Sequence, residues 1–600
     1  MIKAQVKKTG NAPALYINGK RVPPVLFGLS DFPAARPDTA YAQKNIGEFA
    51  KAGINPVALD ANLCQCFHKV TPPTFEHIIA EVASMVKANP NAYALIRLHV
   101  NPPYWWLRDN PDECMVYKIK GEYTTGIDDG EQDRVISFDC NHHLRGSLAS
   151  KKWIKDISEL IRLFIKELDA SPFGDHVFAI QVASGCYGEW HPWAIDYSKP
   201  AVDHFHSYLK ETYKTDKALQ KAWGRSDVTI KNAPFDPDGD WLHDVAAYDA
   251  AKSLQRIMPE AILEFCKVIK QECPNRLCGA FFGYYFNCGE PVRYGHVEVD
   301  MLLNAEGIID FLCGPFAYYT ENRQIEGVPL QRGLLESCRL HNVLWLTEMD
   351  QHPIGTEDMV GGDPKQYPET IALLRRNFLQ PLLAGQGMWY YDHRVIPKLL
   401  KGKNVMNSGS IYFKNGWWGE SKPLMKEIAK LQALAKERML GKYNAAADVL
   451  LVFDIKDCYA RKTSKDTYIG DPDYYQLIDP LARCSVAYDC IYATDLPLAD
   501  LSRYKCVIKM EGEVGAGMVD GREVKTEEEW AKIFAEKGVH RYTDVGDPII
   551  AGFGLIAISH SPRTEKNTFN LILSSGKKIK IRLKSKETAA FDAKTGERVL

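Results

Sequence analysis

The sequence predicts a (β/α)8 TIM barrel, followed by a small Rossmann-like α/β domain and a C-terminal β-sandwich. Short apolar runs alternate with longer helical patterns over residues 1–440, and eight such runs can be counted there. A second, shorter alternation begins near Asn444. Alternating strands and helices are typical of parallel sheets, and eight repeats close into a barrel.

The eight candidate barrel strands are strongly apolar. They lie at residues 25–30, 54–60, 93–100, 177–184, 277–285, 308–316, 343–350 and 387–392. Residues 1–20 precede them and predict a strand pair around the turn Asn18-Gly19, a dipeptide typical of hairpins. Helical periodicity fills the intervals, with Ser150 as a candidate N-cap and residues 421–436 as a candidate eighth helix.

Three further segments complete the predicted organisation. Residues 186–246 form an insertion after the fourth strand, on the barrel face whose long loops are often functional. Residues 441–545 predict the Rossmann-like domain, which lacks a G-x-G-x-x-G fingerprint and is therefore assigned no nucleotide. Residues 546–600 read as short strands and turns and predict the small β domain.

Composition restricts the classes of partner. The 600 residues are 46% hydrophobic and 25% charged, which is typical of a folded protein with more than one domain. The net charge is −2 with no dense Lys/Arg run, and no stretch approaches a membrane-spanning length. We therefore expect neither a nucleic acid nor a membrane as partner. The N-terminus lacks the apolar region of a signal peptide, which predicts a cytoplasmic protein unless a periplasmic or secreted precursor was trimmed.

Cysteines and histidines raise the question of disulfides and metals. The 15 cysteines are scattered through strand-like runs, which favours reduced, packed thiols over a disulfide framework. Cys64, Cys66 and His68 form a C-x-C-x-H cluster, but no second cysteine pair stands nearby. His99 and His191 lie near strand ends, yet the sequence has no H-E-x-x-H and no H-x-H at the first strand. We expect no metal and no cofactor.

Two glutamates stand at predicted strand ends. Glu189 follows the fourth strand, and Glu348 ends the seventh, so both should lie at the C-terminal rim, where such barrels carry their active sites. A single Glu there is more often a salt bridge or a cap, but a facing pair fits glycosidic cleavage. A retaining enzyme needs one protonated and one ionised carboxyl group about 5–5.5 Å apart.

Aromatic and polar side chains follow several of the same strands. Flat apolar rings with polar tips suit sugars, although any one of them could equally fill the core. The predicted substrate-binding residues are Asp31, Arg97, Trp105, Trp106, Tyr187, Trp190, Trp193, Tyr284, Tyr318, Tyr319, Asp350 and Trp389.

The two glutamates on an eight-strand pattern resemble clan A of the glycoside hydrolases. The segment RLHVNPPYWWLRDNPDE, residues 97–113, resembles the third-strand region of glycoside hydrolase family 42, the β-galactosidases. The order of parts is also similar, with a Rossmann-like domain like the trimerisation domain of those enzymes. This resemblance implies a retaining exo-β-glycosidase that cleaves oligo- or polysaccharides, with Glu189 as acid/base, Glu348 as nucleophile, and a trimer or dimer as the assembly.

One residue departs from the clan A pattern. Gly188 stands where those enzymes usually carry an Asn that contacts the sugar's 2-hydroxyl, so the sugar itself stays open. Two other functions also stay open: a non-catalytic carbohydrate-binding barrel and a metal-dependent barrel hydrolase.

The sequence context of each glutamate predicts its protonation state. Glu189 stands between Tyr187 and Trp190, and apolar neighbours would raise its pKa, as an acid requires. For Glu348, the Tyr318-Tyr319 pair could donate hydrogen bonds that keep the carboxylate ionised.

Overall fold

The computed structural model of the chain does not describe every residue. The described residues are 2–29, 36–119, 121–125, 144–185, 188–192, 194–241, 243–286, 295–318, 323–354, 363–392, 417–460, 472–510, 512, 515–561 and 566–600. Within these ranges no helix is both long enough and apolar enough to cross a membrane.

Eight parallel strands close into a barrel, as predicted. In chain order they are Val25–Leu29, Pro56–Asn62, Tyr93–His99, Val177–Ala183, Leu277–Phe281, Phe311–Pro315, Leu344–Met349 and Gly387–Asp392. The eighth strand pairs with the first and closes the barrel. The fifth strand ends at Phe281, before the predicted end, because the chain turns at Gly283, whose φ is 90°.

Helices cover the outside of the barrel. The longer ones are Ala40–Lys51, Glu76–Ala88, Lys151–Ala170, Val245–Glu272, Tyr367–Leu383 and Lys422–Met439, and the shorter ones are Tyr104–Asp109, Asp300–Leu303 and Leu335–Leu340. Ser150 caps its helix as predicted, because its side chain accepts the Trp153 N–H. Trp153, Ile157 and Phe164 of that helix are buried at helical spacing, and each such burial contributes about 1.5–3 kcal/mol.

Smaller elements flank the barrel strands. Strands Ala4–Thr9, Ala12–Ile17 and Lys20–Val22 form an antiparallel sheet, and Tyr117–Ile119 pairs with Glu122–Thr124. Asn18 and Gly19 both adopt positive φ at the predicted hairpin turn. The insertion after the fourth strand folds into helices Lys199–Tyr213 and Asp216–Trp223, with a small apolar core of their own.

A second sheet follows the barrel. Its four parallel strands lie in the order Tyr488–Tyr492, Val449–Phe453, Cys506–Lys509 and Val519–Asp520. The helices of this part are Ile455–Ala460, Pro472–Ala482 and Glu527–Lys537. The first strand lies between the second and third, as in doubly wound folds, which agrees with the Rossmann-like prediction.

The C-terminal strands are antiparallel. Ile549–Gly552, Leu555–His560 and Glu587–Asp592 form one sheet, and Thr568–Ile572 pairs with Lys578–Arg582. Side chains of both, including Ile558 and Phe569, share one apolar core. The predicted order of a barrel, a small α/β unit and a β unit is thus confirmed.

The cysteines largely behave as small core residues. Eleven described cysteines are free and buried. Cys64, in the turn Leu63–Gln65 after the second barrel strand, is disulfide-bonded, so the expectation of reduced thiols is wrong at that position. The spacing of cysteines in one sequence does not reveal which of them form disulfides.

Candidate active site

Glu189 and Glu348 both lie at the C-terminal rim of the barrel. Glu348 is the penultimate residue of the seventh strand, in register with Pro315 on one side and Trp389 on the other. Glu189 comes shortly after the fourth strand, which ends at Ala183. The Glu189 side chain is 16% exposed, and Glu348 is 6% exposed. Both carboxyl groups are therefore largely shielded from water.

Tyr284 bonds to Glu189 and is subject to the charge of Glu348. Its hydroxyl donates a hydrogen bond to Glu189 Oε2 at 3.1 Å. Burial raises the pKa of the Tyr284 phenol well above its usual value, and the negative charges of Glu189 and Glu348 raise it further. The phenol thus experiences both carboxylates and stays protonated as a hydrogen-bond donor.

Residues around Glu189, in the connection that follows the fourth strand, have unusual backbone angles. Gly185, Gly188 and Trp190 all have positive φ, between 60° and 70°. The Trp190 N–H donates to the Ser184 carbonyl at 2.8 Å. A positive φ is unusual for tryptophan, and the Trp190 side chain is buried.

The space beside Gly188 is occupied by a histidine. A Cβ at position 188 would lie 2.6 Å from His99 Cε1 and 3.1 Å from Ala183 Cβ. The His99 ring is fully buried, and its Nε2 lies 3.0 Å from Asp60 Oδ1. Any side chain at position 188, including the Asn expected from the clan A pattern, would require His99 to move.

Cationic groups surround the Glu189 carboxylate. His191 Nε2 lies 3.5 Å and Arg332 Nη1 3.6 Å from Glu189 Oε2. Burial raises the pKa of Glu189, but the hydrogen bond from His191 and the charges of Arg332, His191 and Arg97 outweigh it and hold the pKa below its usual value. The predicted raised pKa is therefore wrong, because the polar groups near this carboxylate outweigh the effect of burial.

Arg332 belongs to a stack of aromatic and guanidinium groups. Its Cζ lies 4.5 Å from the Tyr284 ring centroid and 4.2 Å from that of Tyr318, while Arg323 lies 4.1 Å from the Tyr318 centroid. The Tyr318 hydroxyl donates to Asp350 Oδ2 at 2.6 Å, and Arg323 Nη2 lies 2.8 Å from Asp350 Oδ1. Tyr284, Tyr318 and Asp350 therefore form one cluster with Glu189, and the Tyr318 proton is directed to Asp350 instead of Glu348.

Two predicted residues lie in the barrel interior. Arg97 stacks over Phe281 at 4.6 Å from its centroid, and its Nε is 3.7 Å from Asp60 Oδ1. Trp389 contacts the same Phe281 ring edge-on at 5.4 Å and is 2% exposed. Arg97 and Trp389 therefore pack against the same ring inside the barrel.

Three predicted tryptophans have other partners. The buried Trp106 donates its indole N–H to Asp156 Oδ2 at 2.8 Å, and the buried Trp190 donates to the Val182 carbonyl at 3.1 Å. Trp105 is partly buried and donates to the Phe67 carbonyl at 2.9 Å. The structure does not place these three indoles in the cluster around Glu189. Four other predicted residues lie outside the described residues: Asp31, Tyr187, Trp193 and Tyr319.

The sequence interpretation missed several members of the cluster. Arg332 and Arg323 come from the long connection after the sixth strand, and His296 donates from Nε2 to the Glu189 carbonyl at 2.7 Å. In the sequence, His191 is identified only as a possible metal ligand, although its position two residues after Glu189 is a usable signal. Among the described residues, no group of three or more His, Cys, Asp or Glu side chains could hold a metal ion.

Comparison with known proteins yields structural likeness at low sequence identity. No family model matches the chain, and no curated protein matches it. A β-galactosidase from the psychrophilic Marinomonas ef1 aligns with a TM-score of 0.63 at 12% identity, covering 95% of this chain and 99% of the other. A β-galactosidase from Bacillus circulans sp. alkalophilus gives 0.60 at 12% identity, covering 94% and 98%.

A third solved structure carries a family assignment. Gan42B, a GH42 β-galactosidase from G. stearothermophilus, aligns with a TM-score of 0.63 at 10% identity, covering 98% of this chain and 99% of the other. The likeness therefore spans the barrel, the second sheet and the C-terminal strands together. The chain has the fold of the GH42 β-galactosidases, at a sequence identity that marks it as divergent.

Proposed function

We propose that this protein is a retaining exo-β-glycosidase, β-galactosidase-like, that hydrolyses oligo- or polysaccharides. The observation that carries the proposal is that Glu189 and Glu348 both lie at the C-terminal rim, where Tyr284 donates to Glu189 and the charges of both glutamates act on its phenol. The fold shared with β-galactosidases supports a carbohydrate as substrate.

In this proposal each glutamate has a separate role in a double displacement. Glu348 attacks the anomeric carbon and forms a covalent glycosyl-enzyme, while Glu189 gives its proton to the departing glycosidic oxygen. Glu189 then takes a proton from water, whose oxygen attacks the same carbon and releases Glu348. Two inversions give a product with the substrate's own anomeric configuration.

The low pKa of Glu189 sets a condition on this assignment. As an acid, Glu189 must carry a proton when substrate binds, whereas His191 and Arg332 favour its ionised form. These neighbours suit the second step, in which Glu189 acts as base. They equally favour an exchanged assignment with Glu189 as nucleophile, which is the second candidate.

A panel of aryl β-glycosides tests the proposed activity. We expect hydrolysis of at least one member, the β-galactoside first, and a loss of several powers of ten in Glu348→Gln. The matched control is Glu260→Gln, because Glu260 bonds to His204 and Arg256 on the outer helices, away from the rim. A folded wild type that cleaves no glycoside, or a Glu348→Gln variant of full activity, would contradict the proposal.

We also propose that the protein assembles as a homotrimer or homodimer. The support is the likeness of the whole chain to GH42 β-galactosidases together with the resemblance of the second part to their trimerisation domain. Sedimentation equilibrium tests it: a molecular mass equal to one chain of 67.7 kDa at all concentrations would contradict it.

A further inference from the structure

The segment that carries Tyr284 also contacts the second sheet. Tyr284 faces Glu189, and the next residue, Tyr285, donates its hydroxyl to the Asp454 carbonyl at 3.1 Å. Asp454 directly follows the strand Val449–Phe453 of the second sheet. The Tyr285 ring packs edge-on against the rings of Phe453 and Tyr492, with centroid distances of 5.5 Å and 5.4 Å.

Phe286 also contacts the second sheet, and it forms a hydrogen bond with Arg332. Its ring packs perpendicular to Phe453 at 5.1 Å, and its N–H donates to the Arg332 carbonyl at 2.9 Å. Tyr284, Tyr285 and Phe286 are between 0% and 3% exposed. The segment 284–286 is thus held between the barrel rim and the carboxyl ends of two strands of the second sheet.

We propose that the second sheet is a working part of the active site: through Tyr285 and Phe286 it fixes the positions of Tyr284 and Arg332 against Glu189. Tyr285 and Phe286 are positioning residues that act through those two side chains. The geometric part of this proposal does not depend on a substrate, whereas its effect on hydrolysis rests on the proposed function.

The consequence for Glu189 follows from what surrounds it. The groups around Glu189 are Tyr284, His191 and Arg332 at its carboxylate, Arg97 in the barrel interior, His296 at its carbonyl, and Glu348, whose charge also acts on the Tyr284 phenol. A hydrogen bond or a positive charge near a carboxylate favours its ionised form. Tyr284 and Arg332 both supply such stabilisation, so a loosened segment 284–286 should raise the pKa of Glu189.

A matched pair of tyrosine variants separates this effect from general destabilisation. Tyr285→Phe removes the hydroxyl that bonds to Asp454. Tyr459→Phe removes a similar bond, because the buried Tyr459 donates to Glu298 Oε1 at 2.7 Å between the helix Ile455–Ala460 and the barrel part. The control therefore loses a tyrosine bond between the same two parts of the chain, outside the segment 284–286.

The readout is the titration of Glu189 without substrate. The rate of carbodiimide-driven coupling of Glu189 to a small amine, followed by peptide mass spectrometry from pH 3 to 8, reports its protonated fraction. We expect Tyr285→Phe to raise the midpoint by roughly 0.5–1 pH unit, Tyr284→Phe to raise it at least as far, and Tyr459→Phe to leave it at the wild-type value.

Several outcomes decide the proposal. A Tyr285→Phe midpoint equal to wild type, or an equal shift in Tyr459→Phe, would overturn it. If Tyr285→Phe fails to fold, Phe453→Leu loosens the same contact from the side of the second sheet and must give the same upward shift. Absence of glycoside hydrolysis in every variant would reject the proposed function and leave this titration result standing.

Discussion

The Tyr284 hydroxyl lies 3.1 Å from Glu189 Oε2 and donates to it, while the charge of Glu348 acts on the same phenol. The hydrogen bond joins side chains that follow the fourth and fifth strands, and the charge of a residue on the seventh strand acts on the same phenol. It also makes the protonation of Glu189 dependent on a small number of named neighbours, which can be changed one at a time.

The pH dependence of wild-type kcat/KM should report the low pKa of Glu189. If Glu189 is the acid, only its protonated form is productive, so kcat/KM should fall about tenfold per pH unit above the usual glutamate value of about 4.3. Arg332→Met removes a charge that lowers this pKa and should move the falling limb to higher pH. Arg256→Met is the control, since Arg256 bonds to Glu260 on the outer helices, away from the rim, and its loss should leave the falling limb in place. A wild-type kcat/KM that holds steady through pH 7 would instead favour the exchanged roles.

Gly188→Ala should destabilise the protein and reduce activity. The φ of 70° strains any L side chain at about 1–3 kcal/mol, and the added Cβ would meet His99 at 2.6 Å. Gly224→Ala is the matched control, because its φ is 66° and a Cβ there meets nothing within 4 Å. Thermal unfolding of both variants should show the larger loss for Gly188→Ala. Equal losses of thermal stability in the two variants would mean that the contact with His99 does not contribute to the destabilisation.

Glu336→Gln should make the protein more stable at alkaline pH. Glu336 is buried where the barrel part meets the second sheet, and its Oε2 accepts the Cys490 N–H at 2.9 Å. Burial, followed by the charge of Asp489, raises the pKa of Glu336 to about 7. A folded-state pKa above the unfolded value of about 4.3 means that stability falls as pH rises from there through about 7.

The glutamine variant keeps the acceptor for Cys490 and cannot ionise. Its free energy of unfolding should exceed that of wild type by roughly 1–3 kcal/mol at pH 8, and the difference should shrink toward pH 4. Denaturant unfolding at both pH values measures it. A wild-type protein that loses no stability relative to the variant between pH 4 and 8 is the contrary result.

The fold was accessible from the sequence because its signals are local. Each barrel strand is a continuous apolar run, and the Asn18-Gly19 hairpin and the Ser150 cap depend on a few neighbouring residues. The rule that active sites lie at strand ends was enough to single out Glu189 and Glu348 as candidates.

The surroundings of Glu189 depend on contacts that strand-end rules do not reveal. Arg332 reaches it from the connection after the sixth strand, at no fixed spacing from any strand end. The neighbouring Trp190 predicts a raised pKa for Glu189, but that indole donates to the Val182 carbonyl, and polar groups lower the pKa of the carboxylate. Of the residues close to Glu189 in the chain, His191 is the one whose side chain lowers its pKa.

Azide rescue of the two alanine variants tests the central claim most directly. With an aryl β-glycoside, azide should attack the glycosyl-enzyme of Glu189→Ala and give the β-glycosyl azide. In Glu348→Ala it should replace the nucleophile and give the α-glycosyl azide, each product identified by the coupling constant of its anomeric proton. The opposite pair of products would show that the roles are exchanged, and full activity without azide in both variants would contradict the claim that these two glutamates are the catalytic pair.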